Sequence, residues 1–172
     1  GDRAAPVTGR GPVRLVIVSG GQTGVDRAAL DAAILAGVPY DGWCPAGGRA
    51  EDLPDPPGLL ARYPRLRETT SADPTERTRL NVRDSDATLV VQPLGGLAGG
   101  TLLTAEEARR LGRPLLVTSG DSVDEVVAWV RSIPSVHDTI RLDVAGPRES
   151  GHPGAYALTR RLLDAVLQAG AG

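Results

Sequence analysis

The fold of this chain is decided by the stretch Ser19-Gly20-Gly21-Gln22-Thr23-Gly24-Val25-Asp26-Arg27. It follows a strand-like run at 13–18 and opens onto a helix-like run at 28–36. A strand that turns directly into a helix through glycines leaves backbone N–H groups unpaired at the start of the helix. These groups and the positive end of the helix dipole favour an anion, and glycine lets a ligand approach the backbone closely. The stretch therefore predicts a phosphate-binding loop.

A second glycine loop has the same context. The apolar run 87–91 is typical of a parallel strand buried on both faces, and it is followed by Pro93-Leu94-Gly95-Gly96-Leu97-Ala98-Gly99-Gly100-Thr101. A helix comes next and ends near Gly112. The first loop has neither the GxGxxG dinucleotide fingerprint nor the Gly-Lys-Ser/Thr ending of a P-loop. The alternative to phosphate binding is a tight strand-to-helix turn without a ligand.

Strands and helices alternate along the rest of the chain. Short strands are predicted within 38–44 and 66–69, a buried strand at 115–118 and a last strand at 139–144. Helices are predicted after the N-cap Asp73, with Pro74 at the first helical position, and after Ser122, which forms a capping box with Glu125. The last helix follows a loop that ends at Gly154. This alternation predicts an α/β fold of three α/β/α layers with a mainly parallel sheet, and it leaves the strand order open.

Length and composition are those of one soluble domain. The chain has 172 residues, and we expect a single domain over 13–172 behind a flexible leader at 1–12. The net charge of −2 gives no basic surface for nucleic acid. No apolar run approaches the roughly 18 residues of a membrane span, and the single cysteine, Cys44, excludes an intramolecular disulfide. We therefore expect a cytoplasmic protein that binds neither nucleic acid nor membranes.

The loops that follow the predicted strands are expected to meet at one edge of the sheet. Ligands of parallel sheets bind beyond the carboxyl ends of the strands. Both glycine loops, the loop after Trp43 and the loop after Val144 begin at such ends. The sequence therefore predicts one ligand site built from four loops.

Polar residues beside the glycine loops have a structural interpretation and a functional one. Asp26 complements the helix dipole or contacts a ligand, and Arg27 is solvated or contacts a ligand. Thr104 and Glu107 fit a capping box. Glu106 is not explained by that box and is a candidate for contact with a sugar or base.

The long polar loop at 45–64 and the two histidines leave similar choices. Arg49 and Glu51 belong to an ordinary solvated loop or supply charge to the site. His137 and His152 have no partners at ligand spacing, so no metal site is predicted, although His152 follows a strand and could line a pocket. Cys44 is expected to be a small buried residue rather than a nucleophile.

The sequence resembles the circularly permuted YpsA-type branch of the SLOG superfamily, whose members are often named putative molybdenum carrier proteins. The resemblance spans about 13–167 and implies a Rossmann-like fold with a nucleotide or nucleotide-derived ligand at the glycine loops. It rests on five blocks in order: Ser19 to Arg27, Gly42-Trp43-Cys44-Pro45 with Ala50-Glu51-Asp52, Arg77-Thr78 with Asn81-Val82-Arg83-Asp84-Ser85-Asp86, Gly99-Gly100-Thr101, and Gly146-Pro147-Arg148-Glu149-Ser150.

The resemblance implies relatives of two kinds. Some carry molybdenum cofactor, a pterin that bears a phosphate. Others, the LOG phosphoribohydrolases, cleave the N-glycosidic bond of a nucleoside 5′-monophosphate with a Pro-Gly-Gly-x-Gly-Thr-x-x-Glu motif. Thr104 stands where that motif has its glutamate. Hydrolysis would need another carboxylate here, and the candidates are Asp26, Glu51 and Glu106.

We therefore expect the protein to bind a small phosphorylated, nucleotide-like ligand, either molybdenum cofactor or a nucleotide. Hydrolysis of a nucleoside 5′-monophosphate and nucleotide sensing by a regulatory protein are the alternatives, and enzymatic turnover stays open. A homo-oligomer is expected, because apolar helix faces of this fold class commonly form dimers. One phosphate is expected at the first loop, a second anionic or sugar group at the second, and the arginines are charge partners. The expected ligand-binding residues are Gly20, Gly21, Gln22, Thr23, Gly24, Asp26, Arg27, Arg49, Gly99, Gly100, Thr101 and Arg148.

Overall fold

A computed structural model of the chain describes residues 13–171, so the leader predicted for 1–12 lies outside the described residues. The strands are Arg14–Val18 (β1), Tyr40–Asp41 (β2), Trp43–Cys44 (β3), Arg67–Glu68 (β4), Ala87–Val91 (β5), Leu115–Thr118 (β6) and Thr139–Ala145 (β7). The α-helices are Val25–Ala36 (α1), Leu59–Arg62 (α2), Pro74–Arg83 (α3), Gly99–Arg110 (α4), Val123–Ser132 (α5) and Ala155–Val166 (α6). Shorter helical turns lie at Ala46–Gly48 and Leu167–Ala171.

The main sheet has five parallel strands in the order β2-β1-β7-β5-β6. The last strand, β7, lies between β1 and β5, in register from Arg14 opposite Thr139 to Val18 opposite Asp143. Helices α1, α5 and α6 pack together on one face, and α3 packs against α4 on the other. Helices that connect parallel strands cover both faces of a sheet in this way. The α/β fold of three layers predicted from the sequence is confirmed.

The sequence predicted the starts of two helices correctly. Asp73 is the N-cap of α3, its carboxylate accepts a hydrogen bond from the N–H of Thr75, and Pro74 is the first helical residue. Ser122 caps α5 by accepting a hydrogen bond from the N–H of Glu125. Cys44 is fully buried, as expected. None of the helices in residues 13–171 is long and apolar enough to cross a membrane.

Three local predictions were wrong. Helix α4 begins at Gly99, so Thr104 lies inside its second turn, where the hydroxyl donates to the Gly100 carbonyl instead of capping with Glu107. Strand β6 is an edge strand, and Val117 is 40% exposed rather than buried. The single strand expected at 38–44 is split between two sheets at Gly42, whose φ of 147° only glycine adopts readily.

Candidate functional site

A cleft of about 740 Å³ lies at the carboxyl ends of the parallel strands. Its walls come from the loops after β1, β5 and β7 and from the first turns of α3 and α4. This volume suits a nucleotide-sized ligand. Among the expected binding residues, those that line the cleft are Gly20, Gln22, Asp26, Gly99, Gly100, Thr101 and Arg148. Those that lie outside its lining are Gly21, Thr23, Gly24, Arg27 and Arg49.

The first glycine loop is a packed turn whose N–H groups are largely used within the chain. The N–H of Gly21 donates to Ser19 Oγ at 3.2 Å, and that of Thr23 donates to Gln22 Oε1 at 3.0 Å. The N–H of Val25, the first residue of α1, donates to the Pro147 carbonyl at 3.2 Å. The loop therefore offers a phosphate fewer free donors than its sequence suggested.

The second glycine loop has free donors. Helix α4 starts at Gly99 after the N-cap Ala98, whose side chain provides no cap. The N–H groups of Gly99, Gly100 and Thr101 accordingly have no acceptor among residues 13–171. All three residues line the cleft. This uncapped helix N-terminus is the strongest anion-binding feature of the cleft.

Arg27 is neither solvated nor in the cleft. Its guanidinium group is buried and forms two hydrogen bonds of 2.8 Å with the Asp52 carboxylate, and Nε donates to the Gly21 carbonyl at 2.9 Å. The hydrogen bonds from Arg27 hold the pKa of Asp52 below its usual range. This ion pair fastens the long polar loop to α1.

The side chain of Glu51 is also engaged in hydrogen bonds with other residues of the chain. Its carboxylate accepts hydrogen bonds from the Ser150 hydroxyl and N–H and from the Thr23 hydroxyl, and these lower its pKa. Arg148 Nε lies 3.8 Å from the same carboxylate and also lines the cleft. Glu106 is exposed on α4, outside the cleft lining. Of the three candidate catalytic carboxylates, only Asp26 reaches the cleft.

Two buried carboxyl groups and one guanidinium form the floor of the cleft. Arg77 Nη1 donates to the Gly20 carbonyl at 2.9 Å and lies 3.9 Å from Asp26 Oδ2. Burial raises the pKa of Asp26 to about 6, although Arg77 and the N–H groups of Gly146 and Gln22 act in the opposite direction. Burial and the neighbouring Asp26 raise the pKa of Asp143 well above its usual value.

Asp143 was not among the residues predicted from the sequence to contact a ligand. A signal was present, because an aspartate two residues before the end of a strand covered on both faces has to lie at the ligand edge or be paired. Arg77 was recognised only as part of the family resemblance. Its position on the floor depends on the packing of α3 against the first loop, which spacing alone does not reveal.

The described residues offer little for a metal. No group of three or more His, Cys, Asp and Glu side chains in residues 13–171 could hold a metal ion. His152 lines the cleft and His137 lies outside its lining. Burial raises the pKa of Cys44 to about 11, which makes its thiol a poor nucleophile.

The fold and the cleft together define an α/β protein with a cleft at the carboxyl edge of a parallel sheet. The sequence matches the circularly permutated YpsA SLOG family over residues 17–167, and the chain belongs to that family. It is similar to the crystal structure of a putative molybdenum carrier protein from Syntrophus aciditrophicus SB, with 38% identity and a TM-score of 0.79 over 92% of this chain and 98% of that one. No curated protein matches the sequence.

Proposed function

We propose that the cleft binds a small phosphorylated, nucleotide-like ligand. The observation that carries this proposal is the uncapped N-terminus of α4, where three residues with free N–H groups line a cleft of nucleotide size. A phosphate bound there would satisfy donors that otherwise lack partners among residues 13–171 and would complement the positive end of the helix dipole.

In this proposal the two glycine loops of the cleft have different roles. Gly99, Gly100 and Thr101 would hold the phosphate, with Arg148 as a nearby charge partner. The first loop would contribute the walls at Gly20 and Gln22. In that proposal Gly21, Thr23, Gly24 and Arg27 shape the loop and make no ligand contact, and Arg49 has no part in the site.

The name of the similar solved structure favours a carrier function. That structure is named a putative molybdenum carrier protein, and we extend the carrier function to this chain as a proposal, with the molybdenum cofactor as cargo. The cofactor carries a phosphate, which the α4 N-terminus would hold. We further propose that the protein acts in the cytoplasm as a homo-oligomer.

Replacement of Gly100 tests the phosphate site. No atom lies within 4 Å of a Cβ at this position, so a side chain fits without rearrangement. In Gly100→Asp, the new carboxylate would stand where the phosphate binds. Two anionic groups about 4 Å apart repel by several kcal/mol near a protein surface. We expect the Kd for a nucleoside 5′-monophosphate, measured by isothermal titration calorimetry, to rise by roughly 100-fold.

The matched control is Gly100→Asn, which adds nearly the same volume without charge and should weaken binding much less. Circular dichroism should show both variants folded, because an acidic residue in the first turn of a helix is favourable. Equal affinity of wild type and Gly100→Asp for every phosphorylated ligand tested would refute the assignment.

A second candidate function is hydrolysis of a ribosyl bond, with Asp26 as the acid or base. A pKa of about 6 suits a group that takes up and releases a proton near neutral pH. Incubation with nucleoside 5′-monophosphates, with and without magnesium, followed by chromatography would detect a released base. Enzyme-dependent release that disappears in Asp26→Asn would support this candidate, and an unchanged panel would favour the carrier.

A further inference from the structure

The carboxyl group of Asp143 stands out among the polar groups of the cleft. The residue is only 3% exposed and lines the cleft at the end of the central strand β7. Its carboxyl group accepts no hydrogen bond from residues 13–171. A buried carboxyl group without donors is costly, so its oxygens need partners from outside the chain.

Neighbouring groups are already engaged and do not supply those partners. Arg77 donates to the Gly20 carbonyl and lies against Asp26. Asp26 also has the N–H groups of Gly146 and Gln22 beside it. The two aspartates therefore differ, because Asp26 has Arg77 and two backbone N–H groups beside it, whereas Asp143 lines the cleft with carboxyl oxygens that no donor in residues 13–171 engages. Burial and the neighbouring Asp26 raise the pKa of Asp143, and Arg77 acts in the opposite direction without a hydrogen bond to it. Two N–H donors from a ligand would favour the ionised form of this carboxyl group.

The planar geometry of a carboxylate favours a ligand group with two parallel N–H donors. Two oxygens side by side accept two parallel N–H groups from a planar donor, and such bidentate pairs are the strong ones. In a heterocycle, adjacent ring N–H and exocyclic NH₂ groups provide these donors. The edge of adenine places a ring acceptor beside its NH₂ group, which would leave one carboxylate oxygen opposite a lone pair.

We propose that Asp143 recognises the N–H and NH₂ edge of a 2-amino-4-oxopyrimidine ring, the ring that guanine and pterins share. The inference rests on the proposed function, since it assigns the ring end of the ligand whose phosphate lies at α4. The floor of the cleft would hold the ring, and the N-terminus of α4 would hold the phosphate at the cleft wall.

Binding of matched ligands to wild type and Asp143→Asn tests this assignment. The ligands are GMP, IMP, AMP, XMP and neopterin monophosphate, titrated calorimetrically in EDTA so that no metal bridges them to the protein. IMP lacks the NH₂ group of GMP, and XMP replaces that group with a carbonyl. We expect wild type to bind GMP, the pterin phosphate or both at least about tenfold more tightly than IMP and AMP.

Asp143→Asn should reverse the preference. An asparagine amide offers one acceptor and one donor, which match the ring N–H and the C2 carbonyl of XMP. We expect the variant to lose the preference for GMP and to bind XMP more tightly than GMP. Asp138→Asn is the matched control, because Asp138 is exposed just before the opposite end of β7 and should leave all affinities unchanged.

The outcomes separate this inference from the proposed function. Tight binding of GMP alone identifies a nucleotide as the source of the ring, and tight binding of the pterin phosphate alone identifies a pterin. Either supports Asp143 when Asp143→Asn removes the preference, and a preference that the variant keeps overturns the inference. Equal affinities for GMP and AMP that Asp143→Asn does not change overturn the inference and leave the phosphate site standing. If no ligand in the panel binds, both proposals fall. Thermal unfolding of Asp143→Asn checks that the variant is folded.

Discussion

Gly24 and Gly37 show how one residue type meets two different demands at the two ends of α1. Both have a positive φ, 77° at Gly24 and 69° at Gly37, in the region that disfavours other residues. A Cβ at Gly37 would have no atom within 4 Å, so only the backbone conformation requires glycine. At Gly24 a Cβ would stand 2.4 Å from the Pro147 carbonyl oxygen. Close contact between two loops of the cleft therefore also requires glycine there.

Alanine substitution should separate these two demands. Gly37→Ala should cost about 1 kcal/mol of unfolding free energy, the usual penalty for a left-handed alanine. Gly24→Ala should cost about 1–3 kcal/mol more, because the methyl group forces the 147–149 backbone away. Urea unfolding followed by circular dichroism measures both values. Equal losses of unfolding free energy in the two variants would show that the loop after β7 can move away from the added methyl group at little cost.

Of the two buried aspartates of the cleft, only Asp26 could be predicted from the sequence as a candidate for ligand contact. Asp26 was predicted as a ligand candidate because it lies in the first turn after a glycine loop. Asp143 lies within a run of strand residues, and its environment depends on β7 being central and on Asp26 lying beside it. The position of Asp26 after a glycine loop can be read from the local spacing of residues. The environment of Asp143 arises from residues that lie far apart in the sequence.

Among the elements, those with local start signals were predicted best. Strand β5 and the caps of α3 and α5 follow from apolar runs and capping residues within a few positions. The first residue of α4 was harder to predict, because the helix begins at two glycines without a capping side chain. The spacing of Thr104 and Glu107 also fits a capping box and indicated a later first residue. An uncapped start is a weak sequence signal, and here the same feature forms the proposed anion site.

An ion pair helps to attach the polar segment between β3 and β4 to α1, together with the hydrogen bond from the Tyr63 hydroxyl to Asp31. Arg27 is buried and bonds Asp52 through two hydrogen bonds of 2.8 Å. In Asp52→Ala the guanidinium loses its only salt-bridge partner in residues 13–171. We expect a loss of about 1–2 kcal/mol at pH 7, less than for a fully buried pair because Asp52 is partly exposed. Asp55→Ala, an exposed position in the same segment, should change little.

The effect of Asp52 should depend on pH. Its pKa is lowered in the folded protein, so it contributes stability above the unfolded pKa of about 3.9 and loses that contribution as pH falls through the folded value. The difference in unfolding free energy between wild type and Asp52→Ala should therefore shrink below about pH 4. Urea unfolding at neutral pH and at a pH below that value measures this change. A difference that stays constant would contradict the ion pair.

For the whole molecule, the position of β7 in the sheet determines where the site forms. The last strand enters between β1 and β5, so the loop that follows it stands between the two glycine loops. The sequence predicted that these loops meet at one edge but not which loops are neighbours, because strand order depends on long-range pairing. The central place of β7 is what puts Asp143 on the cleft floor.

Hydrogen exchange with mass spectrometry would locate the bound ligand on the whole molecule. In the free protein the N–H groups at the start of α4 have no acceptor within residues 13–171, and Leu94 in the loop before it is 77% exposed. A phosphate that accepts hydrogen bonds there should slow exchange over 93–101, and ligand contact should slow it over 145–152. Exchange at Arg67 and Thr69, which hydrogen-bond outside the cleft, should stay unchanged.

Hydrogen exchange is measured for wild type with saturating GMP, and the same measurement on Gly100→Asp provides the control. A protein that cannot hold the phosphate should show no slowing of exchange at either segment. Slowing confined to 19–24 in wild type would instead put the phosphate on the first loop. That outcome would require the packed N–H groups of Gly21, Thr23 and Val25 to exchange their partners for the ligand. Because Val25 donates to Pro147, such a rearrangement would also loosen the contact between the loops after β1 and β7, and exchange at 145–149 would then accelerate.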